Sequence, residues 1–229
     1  MTNYLRYPIP ALQEYVTRFF IQLGVPPADA AIAADVLVAA DVRGVESHGV
    51  IRLNTYYGSR LRKGLMSPVT NIITVNETPT TLALDAGNGL GQVAAYHAMN
   101  RCIAKAGESG LAMTTVRNSN HYGIAGYYAM MALPHGMIGI SLTNSQPLVA
   151  PTYSRSRMLG TNPIAVAVPA GENRPYVLDM ATSIVPIGRV MVYKEKGAEI
   201  PAGWGVDCDG HVTTDPQAVL NGGALMPLS

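Results

Sequence analysis

The sequence predicts an α/β protein with a helical region at residues 1–68 and a domain of alternating strands and helices at residues 69–229. Three observations lead to this prediction. Apolar side chains recur at helical spacing before residue 66. Beyond Pro68 the chain contains short runs of β-branched and aliphatic residues, which are typical of strands. Helical segments lie between those runs, as in a sheet with helices packed on it.

Three helices are predicted in the first region. The first covers residues 12–23 and ends at Gly24, since glycine commonly follows a helix. The second begins near Pro27, because proline is tolerated in the first helical turn, and it stops by Gly44. The third covers residues 50–63. The change of pattern at residues 66–69 marks the expected domain boundary.

After this boundary the hydrophobic pattern alternates between two periods. Helices are expected over residues 92–106 and 123–133. Strands are expected at residues 71–75, 80–84, 111–116, 137–142, 164–168, 176–178 and 189–193.

Composition and charge exclude several classes of protein. The formal net charge is only +1, which gives no basic surface for nucleic acid or for an anionic membrane. Charged residues make up 14% of the chain, and this sparse charge suggests burial against another subunit, as in a homodimer. Two cysteines, the absence of a signal-peptide pattern in residues 1–8 and the absence of a bilayer-length apolar stretch favour a cytoplasmic protein.

A first candidate site lies on the predicted third helix. His48, Arg52 and Tyr56 follow at four-residue spacing, so a regular helix would align them along one face. Such a row offers a proton carrier, a cation that binds carboxylates in a bidentate manner and a phenol. The alternative is an ordinary exposed polar face.

A second candidate is His121, which follows a predicted strand. Ligands of α/β sheets gather at the carboxyl ends of strands, although a histidine in this position can equally serve the turn itself. The glycine cluster of residues 87–91 is spaced G-x-G-x-G instead of G-x-G-x-x-G, so a tight turn is favoured over a Rossmann phosphate site. Cys208 and His211 lack a second ligand pair, which argues against a zinc site and leaves no metal predicted.

Several short motifs occur together in a fixed order. They are Ser47-His48-Gly49 with Arg52, Asn118-Ser119-Asn120-His121, Gly160-Thr161-Asn162-Pro163, Asp179-Met180-Ala181-Thr182 and Thr213-Thr214-Asp215-Pro216. This ordered set resembles the malate/L-lactate dehydrogenase family, which includes ureidoglycolate, sulfolactate and malate dehydrogenases and reductases of diketogulonate and cyclic imino acids. The resemblance implies a mixed-sheet nicotinamide-binding domain of the sulfolactate-dehydrogenase-like type, distinct from the standard Rossmann fold, and a homodimer.

The resemblance also implies roles for individual residues. His121 or His48 matches the catalytic acid/base, and Arg52 matches the arginine that holds the substrate carboxylate, helped by Ser47 and Tyr56. The residues that match contacts to the NAD or NADP cofactor are Ser145, Asp179, Met180, Ala181, Thr182 and Ser183.

The resemblance therefore predicts an NAD(P)-dependent oxidoreductase that interconverts a small 2-hydroxy acid and a 2-keto acid. Family members continue past Ser229 with a glycine-rich segment, so we expect the C-terminus of the domain to be incomplete. This leaves an alternative, a truncated and non-catalytic homologue that binds a ligand or a partner. A metal-dependent hydrolase is a third class, which the sequence does not support with a ligand cluster.

Overall fold

A computed structural model describes residues 6–228 of the chain. Residue 229 lies outside the described part, and so do residues 1–5, which begin the segment in which no signal-peptide pattern was found. The structure forms two compact units that divide between Gly139 and Ile140. The change from helices to strands does occur near residue 68, but the helices and the first sheet belong to the same unit. In the described part of the chain, no helix combines the length and apolar character needed to cross a bilayer.

Two long helices open the first unit. Helix α1 covers Ile9–Gln22 and helix α2 covers Pro27–Val42, and the two helices pack against each other. Gly24 and Gly44, which follow these helices, have positive φ angles of 87° and 73°, a conformation that glycine adopts without strain. Both predicted helices are confirmed. Their facing apolar side chains form the core of this region, which includes Val16, Phe20, Ala33, Ala34 and Leu37.

The predicted third helix is wrong as a single regular element. The chain instead forms a 3₁₀ turn at Glu46–His48, a π-helix at Leu53–Gly58 and a short helix α3 at Ser59–Arg62. No regular helix runs through residues 46–50, because the backbone of Gly49 is extended, with φ −89° and ψ −150°. The straight row of His48, Arg52 and Tyr56 therefore does not form.

The first sheet has three strands and mixed pairing. Strand β1 (Ile73–Glu77) pairs antiparallel with β2 (Thr81–Asp85), which pairs parallel with β3 (Met113–Arg117). Helix α4 (Gly91–Ser109) connects the two parallel strands and packs on both of them and on α2. Helix α5 (Ala125–Met130) follows β3. These elements agree in kind with the predictions for residues 71–133.

The second unit contains another three-stranded sheet and a small two-stranded one. Strand β4 (Gly139–Leu142) adjoins β5 (Ile164–Val168), and β5 pairs antiparallel with β6 (Tyr176–Met180). Strands β7 (Gly205–Val206) and β8 (Ala224–Leu225) form the second sheet.

One predicted strand in this unit, residues 189–193, is wrong. It lies in helix α6 (Ile187–Glu195), and a short helix α7 (Pro216–Leu220) packs against it. The run of valines resembles a strand, but Val190 and Tyr193 lie three residues apart and face the same apolar cluster. Pro186 at the helix N-cap also favours a helix start. Short apolar runs do not separate these two structures by pattern alone.

Candidate active site

Ser47 and His48 lie in a tight turn that is tied to the end of α2. The Asp41 carboxylate accepts a hydrogen bond of 2.8 Å from the backbone N–H of Val50. Gly49 permits this approach, because a Cβ atom at that position would lie 1.9 Å from Asp41 Oδ1. Burial raises the pKa of Asp41, and the bond from Val50 opposes that shift. Aspartate and glycine together fix the backbone that carries the serine and the histidine.

Ser47 orients both of its charged or titratable neighbours. Its hydroxyl lies 2.9 Å from His48 Nδ1. Its carbonyl oxygen accepts a hydrogen bond of 2.8 Å from Arg52 Nε, which fixes the guanidinium plane. Because Nε is occupied, the two terminal amino groups of Arg52 are the donors that can meet a ligand. Such a pair matches the two oxygens of a carboxylate.

His121 lies against the ring of His48 and against two adjacent tyrosines. The two histidine rings stack with centroids 5.4 Å apart and planes inclined by 22°. The centroid of the Tyr56 ring is 5.2 Å from that of His121. The Tyr57 hydroxyl lies 2.5 Å from His121 Nδ1. The first unit therefore brings together His48, Tyr56 and His121, although they do not share a regular helix face.

The cluster is positive, but its histidines are neutral. Burial, followed by the charge of Arg52, lowers the pKa of His48 to about 4. Burial also lowers the pKa of His121 to about 3, with further effects from His48, Arg52 and Arg60. The Arg60 guanidinium lies over the Tyr56 ring, 4.5 Å from its centroid. Two arginines beside uncharged imidazoles favour an anionic ligand and leave the rings able to exchange protons.

Hydrogen bonds at Nδ1 indicate which nitrogen of His121 faces a ligand. The backbone N–H of Gly123 donates to Nδ1 at 3.3 Å, and the Tyr57 hydroxyl approaches the same atom. These two contacts occupy Nδ1, and the tautomer of the ring decides whether the Tyr57 hydroxyl donates or accepts there. Nε2 is therefore the nitrogen that can contact a substrate.

The glycine-rich loop of residues 87–91 supports the backbone before His121. Asn120 donates from Nδ2 to the carbonyl oxygens of Asn88 and Gly89, at 3.1 Å and 2.9 Å. A Cβ atom on Gly91 would lie 2.1 Å from the Asn120 carbonyl oxygen. The loop packs against the segment that carries His121, as the tight-turn interpretation expects.

Gln92 is the first side chain after this loop, and it is completely buried. Neither polar atom of its amide forms a hydrogen bond with a described residue. Tyr57 is also fully buried, and burial raises the pKa of its hydroxyl well above the usual value, while the nearby Gln92 amide acts in the opposite direction. The two buried polar groups therefore lie close together behind His121.

Sequence reasoning missed three residues that shape this cluster: Asp41, Tyr57 and Gln92. Tyr57 follows Tyr56 in a segment of mixed polarity, where nothing in the sequence distinguishes it from an ordinary core residue. A usable signal was present at Gln92, which is a polar residue beside Val93 and Ala94 on the buried start of α4.

In the second unit, the candidate cofactor residue Ser145 lies in a loop after β4. Its hydroxyl accepts a hydrogen bond of 2.9 Å from the backbone N–H of Thr161 and lies 3.0 Å from the Thr161 hydroxyl. Its own N–H donates to Asn162 Oδ1 at 3.1 Å. A Cβ atom on Gly160 would lie 2.5 Å from the Ser145 carbonyl oxygen, so glycine permits the close approach of the two loops.

Thr182 joins the end of β6 to the same pair of loops. Its N–H and its hydroxyl both donate to the Thr161 carbonyl oxygen, at 2.8 Å and 3.0 Å. Ser183 is buried, and its hydroxyl donates to the Val185 carbonyl oxygen at 3.0 Å, which stabilises its own turn. The other candidates at this end of β6 are half-buried or exposed: Asp179, Met180 and Ala181.

The turn at residues 207–211 contains Cys208 and His211, the pair that the sequence does not favour as a zinc site. His211 lies with Asp207 and Asp209, and one potential ligand atom from each lies within 4.8 Å of the others. The Asp207 carboxylate accepts the backbone N–H groups of Asp209 and His211, both at 2.9 Å. These bonds shape the turn.

Comparison with known proteins assigns the chain to a family. The model of the family described as malate/L-lactate dehydrogenase matches residues 7–229. A malate dehydrogenase from Pyrococcus horikoshii is 52% identical over 99% of this chain and 62% of its own length. A ureidoglycolate dehydrogenase (NAD(+)) from Escherichia coli K12 is 36% identical over 94% of this chain and 61% of its own length. The chain thus spans about three fifths of these relatives.

The fold agrees with this relationship. The structure of the sulfolactate dehydrogenase from Methanocaldococcus jannaschii superposes with a TM-score of 0.89 and 39% sequence identity, covering 96% of this chain and 63% of the other. The expected sulfolactate-dehydrogenase-like fold with mixed sheets is therefore confirmed. The chain belongs to the malate/L-lactate dehydrogenase family.

Proposed function

We propose that this protein interconverts a small 2-hydroxy acid and the corresponding 2-keto acid, with NAD or NADP as the partner in hydride transfer. The observation that carries this proposal is the arrangement of Arg52 beside two neutral, partly buried histidines, in a member of a dehydrogenase family. The relatives named malate and ureidoglycolate dehydrogenase both take acids with a hydroxyl next to a carboxylate.

In this proposal Arg52 binds the substrate carboxylate through its two terminal amino groups. The bond from Nε to the Ser47 carbonyl oxygen holds the guanidinium in place before the ligand arrives. Less conformational freedom is then lost on binding. Tyr56 lies beside the proposed substrate position, since its ring contacts His121. The Arg60 guanidinium lies over one face of this ring.

We assign the acid/base role to His121 and a supporting role to His48. In the oxidation direction the neutral ring carries its proton on Nδ1, so Nε2 has a free lone pair and takes the hydroxyl proton as the hydride leaves the carbon. The reduction direction reverses both transfers. His121 is favoured because its Nδ1 is held by Tyr57 and by Gly123, so that Nε2 is directed to the substrate. His48 packs on the ring of His121 and is held by Ser47.

The second unit supplies residues suited to a nicotinamide cofactor. Ser145, Thr161 and Thr182 present hydroxyl and backbone groups on linked loops, and Gly160 keeps the backbone open to close contact. The cofactor, when bound, accepts or donates the hydride. Further contacts are proposed for Asp179, Met180, Ala181 and Ser183.

The test is a panel of 2-keto acids with NADH or NADPH, followed by the loss of reduced cofactor. We expect turnover with at least one acid, and we expect His121→Asn to lower kcat by about 10²–10⁴-fold, the usual contribution of general acid–base catalysis. His48→Asn should have the smaller effect. Cofactor binding without turnover for every acid would contradict the proposal and favour a ligand-binding homologue.

We also propose a homodimer in the cytoplasm. Ile140 and Leu142 on one face of β4 are 56% and 62% exposed, and charged residues make up only 14% of the chain, which supports an apolar contact between subunits. Sedimentation velocity at micromolar concentration tests this, and a purely monomeric profile would contradict it.

A further inference from the structure

Tyr57 contacts Nδ1 of His121 in the proposed function, and the surroundings of its hydroxyl also bear on where that ring carries its proton. The oxygen lies 2.5 Å from His121 Nδ1 and 3.5 Å from the carbonyl oxygen of the same residue. The two rings also meet edge to face at 5.8 Å. The side chain is completely buried, so solvent does not compete for these hydrogen bonds.

We propose that Tyr57 is a positioning residue for His121, whose hydroxyl accepts a hydrogen bond from Nδ1–H and so keeps Nε2 without a proton until the substrate supplies one. This inference rests on the acid/base role proposed for His121. The hydroxyl accepts from Nδ1–H both in the neutral ring and in the imidazolium that forms when Nε2 takes the substrate proton. In both forms the hydroxyl donates its own proton to another acceptor.

Two features supply that second acceptor. One is the His121 carbonyl oxygen, which is already within reach. The other is the amide of Gln92, which is fully buried beside Tyr57 and has no hydrogen-bond partner among the described residues. The oxygen of this amide can accept the proton of the Tyr57 hydroxyl while the hydroxyl accepts from Nδ1–H. Burying an unpaired amide is unfavourable, which argues for a use beyond packing.

The backbone contact from Gly123 cannot replace Tyr57. An N–H group only donates, so it stabilises Nδ1 only while that nitrogen lacks a proton. A hydroxyl can form a hydrogen bond with Nδ1 whether or not that nitrogen carries a proton, and phenylalanine can form neither bond. The effect of losing the hydroxyl should therefore fall on the proton-transfer step and spare the binding of the acid by Arg52.

The experiment compares Tyr57→Phe with Tyr128→Phe in the full chain. Tyr128 is a matched control, because it is also fully buried and its hydroxyl donates to a backbone carbonyl, that of Tyr122, instead of the His121 ring. We expect Tyr57→Phe to lower kcat roughly ten- to hundredfold, as for outer partners of metal-bound histidines, with KM for the acid changed less than about threefold. Tyr128→Phe should retain wild-type kcat.

A second measurement does not depend on turnover. The ¹⁵N signals of His121 are assigned by their loss in His121→Asn. In Tyr57→Phe the Nδ1 resonance should move toward that of a weakly hydrogen-bonded nitrogen. In Tyr128→Phe it should stay in place. An unchanged Nδ1 resonance would overturn the inference. Absence of turnover in the wild-type chain would count against the proposed function alone, since the spectra still decide the contact.

Gln92→Met provides the remaining variant if Tyr57→Phe does not fold. It replaces an unpaired buried amide with an apolar side chain of similar length, so stability should be retained or improved. We expect kcat to fall while the urea midpoint does not. A fall in stability with unchanged kcat would mean that the amide and the tyrosine are packing groups only.

Discussion

At the scale of single residues, charge couples ligand binding to proton transfer in this site. His48 and His121 have pKa values lowered to about 4 and about 3, mainly by burial and then by neighbouring positive charge. A carboxylate bound to Arg52 would bring a negative charge close to both rings. Opposite charge favours the protonated imidazole, so we expect substrate binding to raise both histidine pKa values. In the proposed function this change would help His121 hold the proton that it takes from the substrate.

Arg52→Lys tests the carboxylate contact. Lysine keeps the charge but lacks the planar fork and the bond to the Ser47 carbonyl oxygen, so KM for the acid should rise by about tenfold to a hundredfold. Cofactor affinity, measured by NADH fluorescence, should not change. Arg62→Lys is the control, because Arg62 contacts Asn54 and Phe19 instead of the histidines. Equal KM values for the two variants would contradict the assignment.

Residue types in the site could be predicted, but their geometry could not. His48, Arg52, Tyr56 and His121 were identifiable because their chemistry suits an acid substrate, and their motifs resemble one family. Tyr57 carried no such signal. Its partner, His121, is 64 residues away in the chain, and a buried tyrosine has the same local pattern whether its hydroxyl meets a histidine or a carbonyl oxygen.

At the scale of elements, the long helices were predictable and the short ones were not. Helices α1 and α2 have repeated apolar positions with proline and glycine at their ends. The chain between α2 and α3 instead forms a 3₁₀ turn and a π-helix at Leu53–Gly58, and the bond from Val50 to Asp41 joins this stretch to α2. Tyr56 and Tyr57, which are adjacent in the π-helix, both contact His121.

Helix α4 gives a direct test of how the glycine loop supports His121. Gly91→Ala should lower the free energy of unfolding by about 1–3 kcal/mol, because the new Cβ would overlap the Asn120 carbonyl oxygen at 2.1 Å. Gly107→Ala in the same helix is the control, since its Cβ would lie 3.7 Å from Met137 Cε, an ordinary contact. That change should be neutral or stabilise by up to about 1 kcal/mol. Urea unfolding measures both, and similar losses would contradict this account.

At the scale of the whole molecule, the order of motifs predicted the family better than periodicity predicted the domains. Residues 66–69 do separate helices from strands, but the compact units divide at Gly139 and Ile140. The reason is that α4 packs both on α2 and on β2 and β3, so the first helices and the first sheet belong to one unit. Hydrophobic patterns along the chain do not indicate which elements will share a core.

Global stability should depend on pH through the two histidines. Their folded-state pKa values lie below the unfolded value of about 6.5, so the unfolded chain binds more protons as the pH falls. The free energy of unfolding should therefore fall between about pH 6.5 and pH 4, by up to about 1.4 kcal/mol per pH unit for each histidine. Above that range these histidines add no pH dependence.

Urea unfolding across this pH range measures the effect, with the double variant His48→Asn, His121→Asn as the comparison. The double variant should show a shallower decline of stability toward low pH, because asparagine does not titrate. If the unfolding free energies of the wild type and of the double variant fell in parallel from neutral pH to about pH 4, burial of the neutral histidines would not be the cause of the decline in stability.

The central claim is tested most directly by a crystal structure of the protein with reduced cofactor and a non-reacting 2-keto acid analogue. The account predicts that the carboxylate meets the terminal amino groups of Arg52 and that the keto oxygen lies about 2.6–3.2 Å from His121 Nε2. A keto oxygen held by His48 would reverse the assignment of the two histidines. An acid bound away from Arg52 and from both rings would contradict the account as a whole.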